Sequence, residues 1–293
     1  MSVVVAGCKV NLGLRITGVR ANGYHELDSL FWPLPRPCDR LHIRETGGPA
    51  GLVVHCDTPG IDLARNTLTR SYKALADRVP GLPGLEVRLN KGIPTGAGLG
   101  GGSSDAAALL RWLNGRLPHP LDEAALAKVA LSVGADTPFF LKNAPCRVRG
   151  IGEIIEPYAQ DELAGMHLVL VCPDIHASTP QAYADYDAAM QASNTIPGQN
   201  CLTKPQSKAN GTFLSGVRTA LDMHNDLEAV VFSRHPQLAE IKANLLRLGA
   251  GAVAMSGSGS GIVALFAREF HVESQAAAAM LQGENRRVYA HVL

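Results

Sequence analysis

Along the chain, apolar and polar positions alternate with two different periods. Strict alternation at Leu85-Glu86-Val87-Arg88-Leu89-Asn90 predicts a half-buried strand. Val3 to Leu14 predicts a strand too, with Lys9 and Asn11 on one face by its period of two. Asn22-Gly23 is a strong hairpin turn signal, and Tyr24, His25, Phe31 and Trp32 cluster just beyond it. Leu41 to Cys56 gives two further strand candidates around Gly47-Gly48-Pro49. The helical period appears at Asn66 to Val79, where Leu68, Tyr72 and Leu75 form one stripe. It recurs at Ala106 to Asn114 before Gly115, at Glu123 to Val133 between Asp122 and Gly134, and at Leu238 to Leu248 before Gly249. His224-Asn225-Asp226-Leu227 predicts another helix start, and Arg147 to Pro157 one strand with a glycine bend. Met166 to Cys172 is a continuous apolar run ending at Pro173, and Ala252 to Phe266 reads as strand, small-residue turn, strand. Strands precede and separate the helices without regular βαβ alternation, so the fold class expected is α+β.

The 293 residues suffice for one large or two ordinary domains. A polar run at Pro157 to Gly165, followed by a fresh strand, suggests a division into 1–160 and 161–293. Ala189 to Asn210, rich in Gln, Asn, Ser and Lys, predicts a mobile loop. A net charge of +1 gives no electrostatic case for nucleic acid or for acidic membrane surfaces. Six cysteines without a C-x-x-C pair suit a reducing cytoplasm better than a disulfide framework or a zinc site. The N-terminus lacks a basic leader, and no stretch reaches ~18 apolar residues, so neither a signal peptide nor a spanning helix is expected.

The densest chemistry lies in Pro94-Thr95-Gly96-Ala97-Gly98-Leu99-Gly100-Gly101-Gly102-Ser103-Ser104, which runs straight into an alanine-rich helix. Ser103 or Ser104 is a good N-cap. Glycines let the backbone approach a ligand closely, and a helix start offers unpaired N–H groups with about half a positive charge, a setting that suits a polyphosphate. A flexible linker or tight turn is the plainer reading. A Walker A loop would need Lys-Ser or Lys-Thr after its last glycine, and Gly102 is followed by two serines. Gly96, Gly98 and Gly101 satisfy G-x-G-x-x-G, but the acidic residues near the right distance, Asp122 and Glu123, open a helix rather than end a strand. A dinucleotide site therefore fails on context.

Other candidates stay two-sided on local grounds. Lys9 and Asn11 could sit on the wet face of an edge strand or enter a site. Tyr24 and His25 could be core, or a polar-tipped pair that stacks on a base. Asp136 could cap a turn starting at Pro138, or be a free carboxylate. Met255-Ser256-Gly257-Ser258-Gly259 could be a plain hairpin, or a second backbone closing over phosphates.

In this order the pieces resemble the GHMP kinase superfamily of galactokinase, homoserine kinase and mevalonate kinase. The stretches that carry the resemblance are Lys9-Val10-Asn11-Leu12, Gly23-Tyr24-His25-Glu26-Leu27, Ile93 to Ala107, Gly134-Ala135-Asp136-Thr137-Pro138-Phe139-Phe140, Gly150-Ile151-Gly152-Glu153 and the glycine motif at 255–259. The Tyr-His segment is most similar to the branch whose acceptor is a cytidine diphosphate-linked methylerythritol. The resemblance implies a two-domain fold, an S5-domain-2-like N-terminal half and an α/β sandwich C-terminal half, acting with ATP and Mg²⁺ on a small molecule. It implies Asp136 as the catalytic base and Lys9 as its partner. Pro94, Gly96, Gly98, Leu99, Gly100, Gly101, Gly102, Ser103, Ser104 and Asn66 would hold the nucleotide. Asn11, Tyr24, His25, Phe31 and Tyr183 would hold the acceptor, with Tyr183 standing where the family often has Phe. The metal ligands are left unassigned, and a cytoplasmic monomer or weak homodimer is expected. A sister kinase of the mevalonate or homoserine type would keep the loop and Asp136 without needing the aromatic pair. A binding protein of the same fold that has lost turnover would have no use for both Lys9 and Asp136.

Overall fold

The computed structural model describes residues 1–56, 58, 62–63, 66–159, 163–193 and 223–293. The predicted loop therefore lies outside the described residues from 194 onward, as do the centre of the expected division at 160–162 and Cys201.

Two very long strands open the chain, β1 (Ser2–Val19) and β2 (His25–Glu45), paired antiparallel across the turn at Asn22-Gly23. Then come β3 (Gly51–Cys56), α1 (Thr67–Ala76) and β4 (Gly84–Asn90). The helices α2 (Gly101–Asn114), α3 (Glu123–Val133) and α4 (Thr137–Lys142) follow the glycine loop. The predicted single bent strand is two, β5 (Cys146–Gly150) and β6 (Ile154–Pro157), folded into a hairpin. The strand signal was right, but the glycines at 150 and 152, both at positive φ, turn the chain right round.

These strands make one sheet, ordered β3-β4-β2-β5-β6 with β1 on β2. A second sheet is built from β7 (His167–Pro173), β8 (Ala252–Met255), β9 (Ile262–Phe266) and β10 (Arg286–Val292), in the order β10-β7-β9-β8. Its helices are α5 (Thr179–Ala192), α6 (Glu228–Arg234), α7 (Pro236–Arg247) and α8 (His271–Leu281). Of these, α5, α8 and β10 carried no sequence signal strong enough to be predicted.

The apolar run of β7 is explained by burial on both faces. Val169 and Val171 pack under the helices, while Leu168 and Leu170 face the first half of the chain. Strand β9 divides the same way, Ile262, Ala264 and Phe266 against Val263 and Leu265. Strand β1 threads three cores in turn, through Ala6, then Cys8, Val10 and Leu12, then Leu14 and Ile16. It can do so because its register shifts at Gly7/Cys8, at Asn11/Leu14 and at Ile16/Gly18, each bulge re-aiming the side chains that follow. Lys9 and Asn11 sit between the first two shifts.

Candidate active site

A cleft of about 800 Å³ opens where β1, the tip of the β1–β2 hairpin, the glycine loop, α5 and the β8–β9 turn converge. Lys9, Asn11, Tyr24, His25, Phe31, Pro94, the glycine loop through Gly102, Asp136 and Tyr183 all line it. Three predicted residues do not. Asn66 is the N-cap of α1, its Oδ1 accepting from Thr69 N at 2.9 Å and its Nδ2 donating to Leu63 O at 2.8 Å. Ser104 donates its hydroxyl to Gly7 O at 2.5 Å and its N–H to Gly100 O at 2.9 Å. Ser103 lies in the first turn of α2, with its hydroxyl on the side of Gly134.

The expected serine cap of α2 is also corrected. The N-cap is Gly100, in the left-handed region at φ 71° and with no side-chain cap bond. A side chain there would strike the Phe140 ring at 2.8 Å. The helix thus begins inside the glycine run, which keeps its bare N-terminus facing the cleft.

The loop's carbonyls are turned into the protein. Gly96 O accepts from Ala177 N and Ser260 N, both at 3.0 Å, and Ala97 O from Gly261 N at 3.1 Å. Gly98 O accepts from Ser256 Oγ at 3.1 Å, Leu99 O from Lys9 N at 3.0 Å, and Gly102 O from Thr67 Oγ1 at 2.7 Å. The N–H groups from Gly96 to Ser103, by contrast, donate to no described residue. With Gly96, Gly98 and Gly100 all at φ near +70°, the segment leaves a row of unpaired amides at the wall of the cleft, an arrangement that suits an anion. The β8–β9 turn closes on it so tightly that a side chain at Gly98 would collide with the Ser256 carbonyl.

Asp136 occupies the N-cap position of α4 yet makes no side-chain cap bond. Its Oδ2 instead stands 3.6 Å from Lys9 Nζ. Lys9 donates to Asn11 Oδ1 at 2.5 Å, Asn11 Nδ2 to Ser29 Oγ at 2.8 Å, and Ser29 Oγ to Gly13 O at 2.5 Å. Lys9 Nζ also lies 4.5 Å from the centre of the Phe31 ring, which meets Phe139 edge-on. Burial lowers the Lys9 pKa, and the nearby Asp136 carboxylate opposes that shift.

At the hairpin end, Tyr24 is 61% exposed at the rim. His25 lies against Tyr183, ring centres 4.6 Å apart and tilted by 31°. Arg20 braces this tip by reaching both Glu26 (3.0 Å) and Glu153 (2.5 Å), and Glu153 accepts from Ile151 N. Burial raises the Tyr183 pKa, with Asp136 adding to the effect.

Three supporting groups escaped the sequence reading. Asn225 donates to Met255 O and Gly257 O, both at 2.7 Å, fixing the second glycine turn. Behind the first loop, fully buried Asp39 accepts from Gly92 N, Ile93 N and Lys91, and Lys91 also donates to Asp105 Oδ2 at 2.9 Å. Asp187 approaches His25 from α5. Asp187 follows Tyr183 by four residues, a helical spacing that would have flagged it had α5 been recognised.

Two family models match, GHMP kinases N terminal domain over residues 66–143 and GHMP kinases C terminal over 213–285. The chain belongs to the GHMP kinases. Curated members similar to it include the 4-diphosphocytidyl-2-C-methyl-D-erythritol kinase of Nitratidesulfovibrio vulgaris strain DP4, 46% identical over 98% of this chain and 97% of that one. The enzyme of the same name from Lawsonia intracellularis is 45% identical over 90% of this chain and 88% of its own. A crystal structure of 4-(cytidine 5'-diphospho)-2C-methyl-D-erythritol kinase superposes with a TM-score of 0.72 at 30% identity, covering 99% of this chain and 98% of that one. Homoserine kinase from Cytophaga hutchinsonii, at 16% identity and a TM-score of 0.69 over 100% of this chain and 95% of its own, shares the fold. The two-domain GHMP kinase fold expected from the motifs is therefore the fold of this chain. The G-x-G-x-x-G pattern at Gly96, Gly98 and Gly101 thus lies in a GHMP kinase fold.

Proposed function

We propose that this GHMP kinase transfers the γ-phosphoryl group of ATP to the 2-hydroxyl of 4-diphosphocytidyl-2-C-methyl-D-erythritol, the acceptor that its relatives are named for. One observation carries the reading: the Lys9–Asp136 pair opens into the same cleft as the row of bare loop amides and the Tyr24–His25–Tyr183 cluster. The amides of Gly96 to Gly102 hold the phosphates, and the aromatic cluster holds the cytosine. Asp136 accepts the proton of the 2-hydroxyl as its oxygen bonds to the γ-phosphorus and the bond to the β–γ bridging oxygen breaks, releasing ADP. Lys9, steadied by Asn11, orients that hydroxyl and offsets the charge developing on it.

Magnesium fits this site as a cation carried mainly by phosphate. Among the described residues no three His, Cys, Asp or Glu side chains cluster, and Mg²⁺ commonly needs only one or two carboxylates beside substrate phosphates and water. Asp136 is a carboxylate lining the same cleft that could help hold the ion, which would neutralise phosphate charge there. We further take 1–160 and 161–293 to be the two halves that enclose the cleft. No helix among the described residues is long and apolar enough to cross a membrane, and the action proposed is cytoplasmic.

The experiment is ADP release measured with the cytidyl erythritol, mevalonate and homoserine side by side. Turnover confined to the first supports the reading. Preference for either of the others replaces it with a sister kinase that shares the fold.

A further inference from the structure

The His25 ring is gripped on three sides by one helix. Tyr183 lies tilted against it, Tyr186 meets it edge-on with ring centres 6.3 Å apart, and Asp187 Oδ1 stands 2.7 Å from its Nε2. The spacing i, i+3, i+4 puts all three on one face of α5. Both His25 and Asp187 line the cleft, but nothing in the phosphoryl-transfer chemistry calls for the carboxylate.

A carboxylate accepts hydrogen bonds and donates none, so Nε2 of His25 must carry its proton. In the neutral ring that leaves Nδ1 as a lone-pair acceptor. Cytosine offers an amino group at position 4, a donor that such an acceptor takes, whereas uracil offers a carbonyl oxygen there, lone pair against lone pair. We infer that Asp187 is a positioning residue that fixes the His25 tautomer and so makes the site select an amino-bearing pyrimidine over a keto one. This rests on the acceptor reading above and adds the group that sets its base preference.

Asp187 is 41% exposed, so its loss leaves the fold in place, and its action is on the ring rather than on stability. Without it both tautomers become available, and the imidazole can turn a donor toward a keto oxygen. A single mismatched hydrogen bond of this kind is worth ~10-fold in selectivity.

The test measures kcat and KM of the wild type, Asp187→Ala, Asp187→Glu, His25→Gln and the double variant His25→Gln/Asp187→Ala with the cytidine diphosphate-linked acceptor and its uridine analogue. Imidazole ¹⁵N shifts of His25 are recorded for the wild type and Asp187→Ala. The expected result is a cytidine-over-uridine preference that falls ~10-fold in Asp187→Ala through acceptor KM. The KM for ATP stays unchanged, Asp187→Glu restores most of the preference, and Asp187 has no further effect once His25 is Gln. The ¹⁵N shifts should show Nε2 protonated in the wild type and a tautomer mixture in Asp187→Ala. An unchanged preference in an active Asp187→Ala enzyme, or an Nδ1-protonated wild-type ring, overturns the role of Asp187 alone. A wild type that phosphorylates neither acceptor overturns the acceptor reading and this inference with it.

Discussion

Lys9 Nζ and Asp136 Oδ2 face each other across 3.6 Å at the floor of the cleft, one from the first strand and the other from the turn entering α4. The lysine is 4% exposed and the aspartate 31%. Burial works against the ammonium, and the carboxylate works for it, so the charge on Lys9 leans on its partner. The gap suits an alcohol oxygen that must meet a cation and a proton acceptor together.

If Asp136 takes the proton, Asp136→Asn keeps the shape of the site and loses only the base. Turnover should fall ~10³-fold or more while ATP still binds, measured by ADP release and by nucleotide titration. Near-normal turnover would remove Asp136 from the mechanism.

Tyr24 stands at the rim and is 61% exposed, which leaves surface for a ligand to cover. Tyr24→Ala should weaken the cytidine-linked acceptor by ~1–3 kcal/mol, the usual worth of a base stack, with little change in KM for ATP. An equal loss for both substrates would mean that the hairpin tip shapes the whole cleft instead.

The glycine loop was legible because its composition has few uses besides approach to phosphate, and Asn22-Gly23 because few residues accept that turn. Strand alternation placed Lys9 beside Asn11 correctly, and their 2.5 Å bond follows from it. What could not be read locally was the choice between two uses of one residue. Asp136 had cap chemistry in its favour, and only the distant Lys9 shows that the carboxylate stays free of the helix. Ser103 and Ser104 failed as caps for the converse reason: glycines tolerate the left-handed start that α2 adopts one turn earlier. Helix α5 was missed because it carries few large apolar side chains, and Asp187 and Tyr186 were hidden with it. Asp39 needed three-dimensional knowledge, since its partners at 91–93 lie just past the end of β4, some fifty residues on.

Gly98 tests the closure of the two glycine turns. At φ +71° a side chain is strained, and here it would also meet the Ser256 carbonyl. Gly98→Ala should cost ~1–3 kcal/mol in urea unfolding and raise KM for ATP. Retained stability with normal nucleotide affinity would show that the turns part easily.

The last prediction concerns pH and the charges behind the loop. One ammonium, Lys91, serves two buried carboxylates. Asp39 has two backbone N–H donors besides, at 2.7 and 2.8 Å, whereas Asp105 Oδ1 has no partner among the described residues. Asp105 is therefore the one that gives up its charge: burial pushes its pKa up to about 7, against the pull of Lys91. The ordinary value is near 4, so between about pH 4 and 7 the folded chain holds a proton that the unfolded chain has released. That proton stabilises the fold at the acid end, and its contribution is lost as the pH rises through about 7. Asp105→Asn cannot titrate, and Asp39 still holds Lys91. The stability of the variant relative to the wild type should thus increase from pH 5 to pH 8, by on the order of 1–3 kcal/mol in urea unfolding. A difference that stays flat across that range would mean that Asp105 remains ionised and that Lys91 neutralises both carboxylates after all.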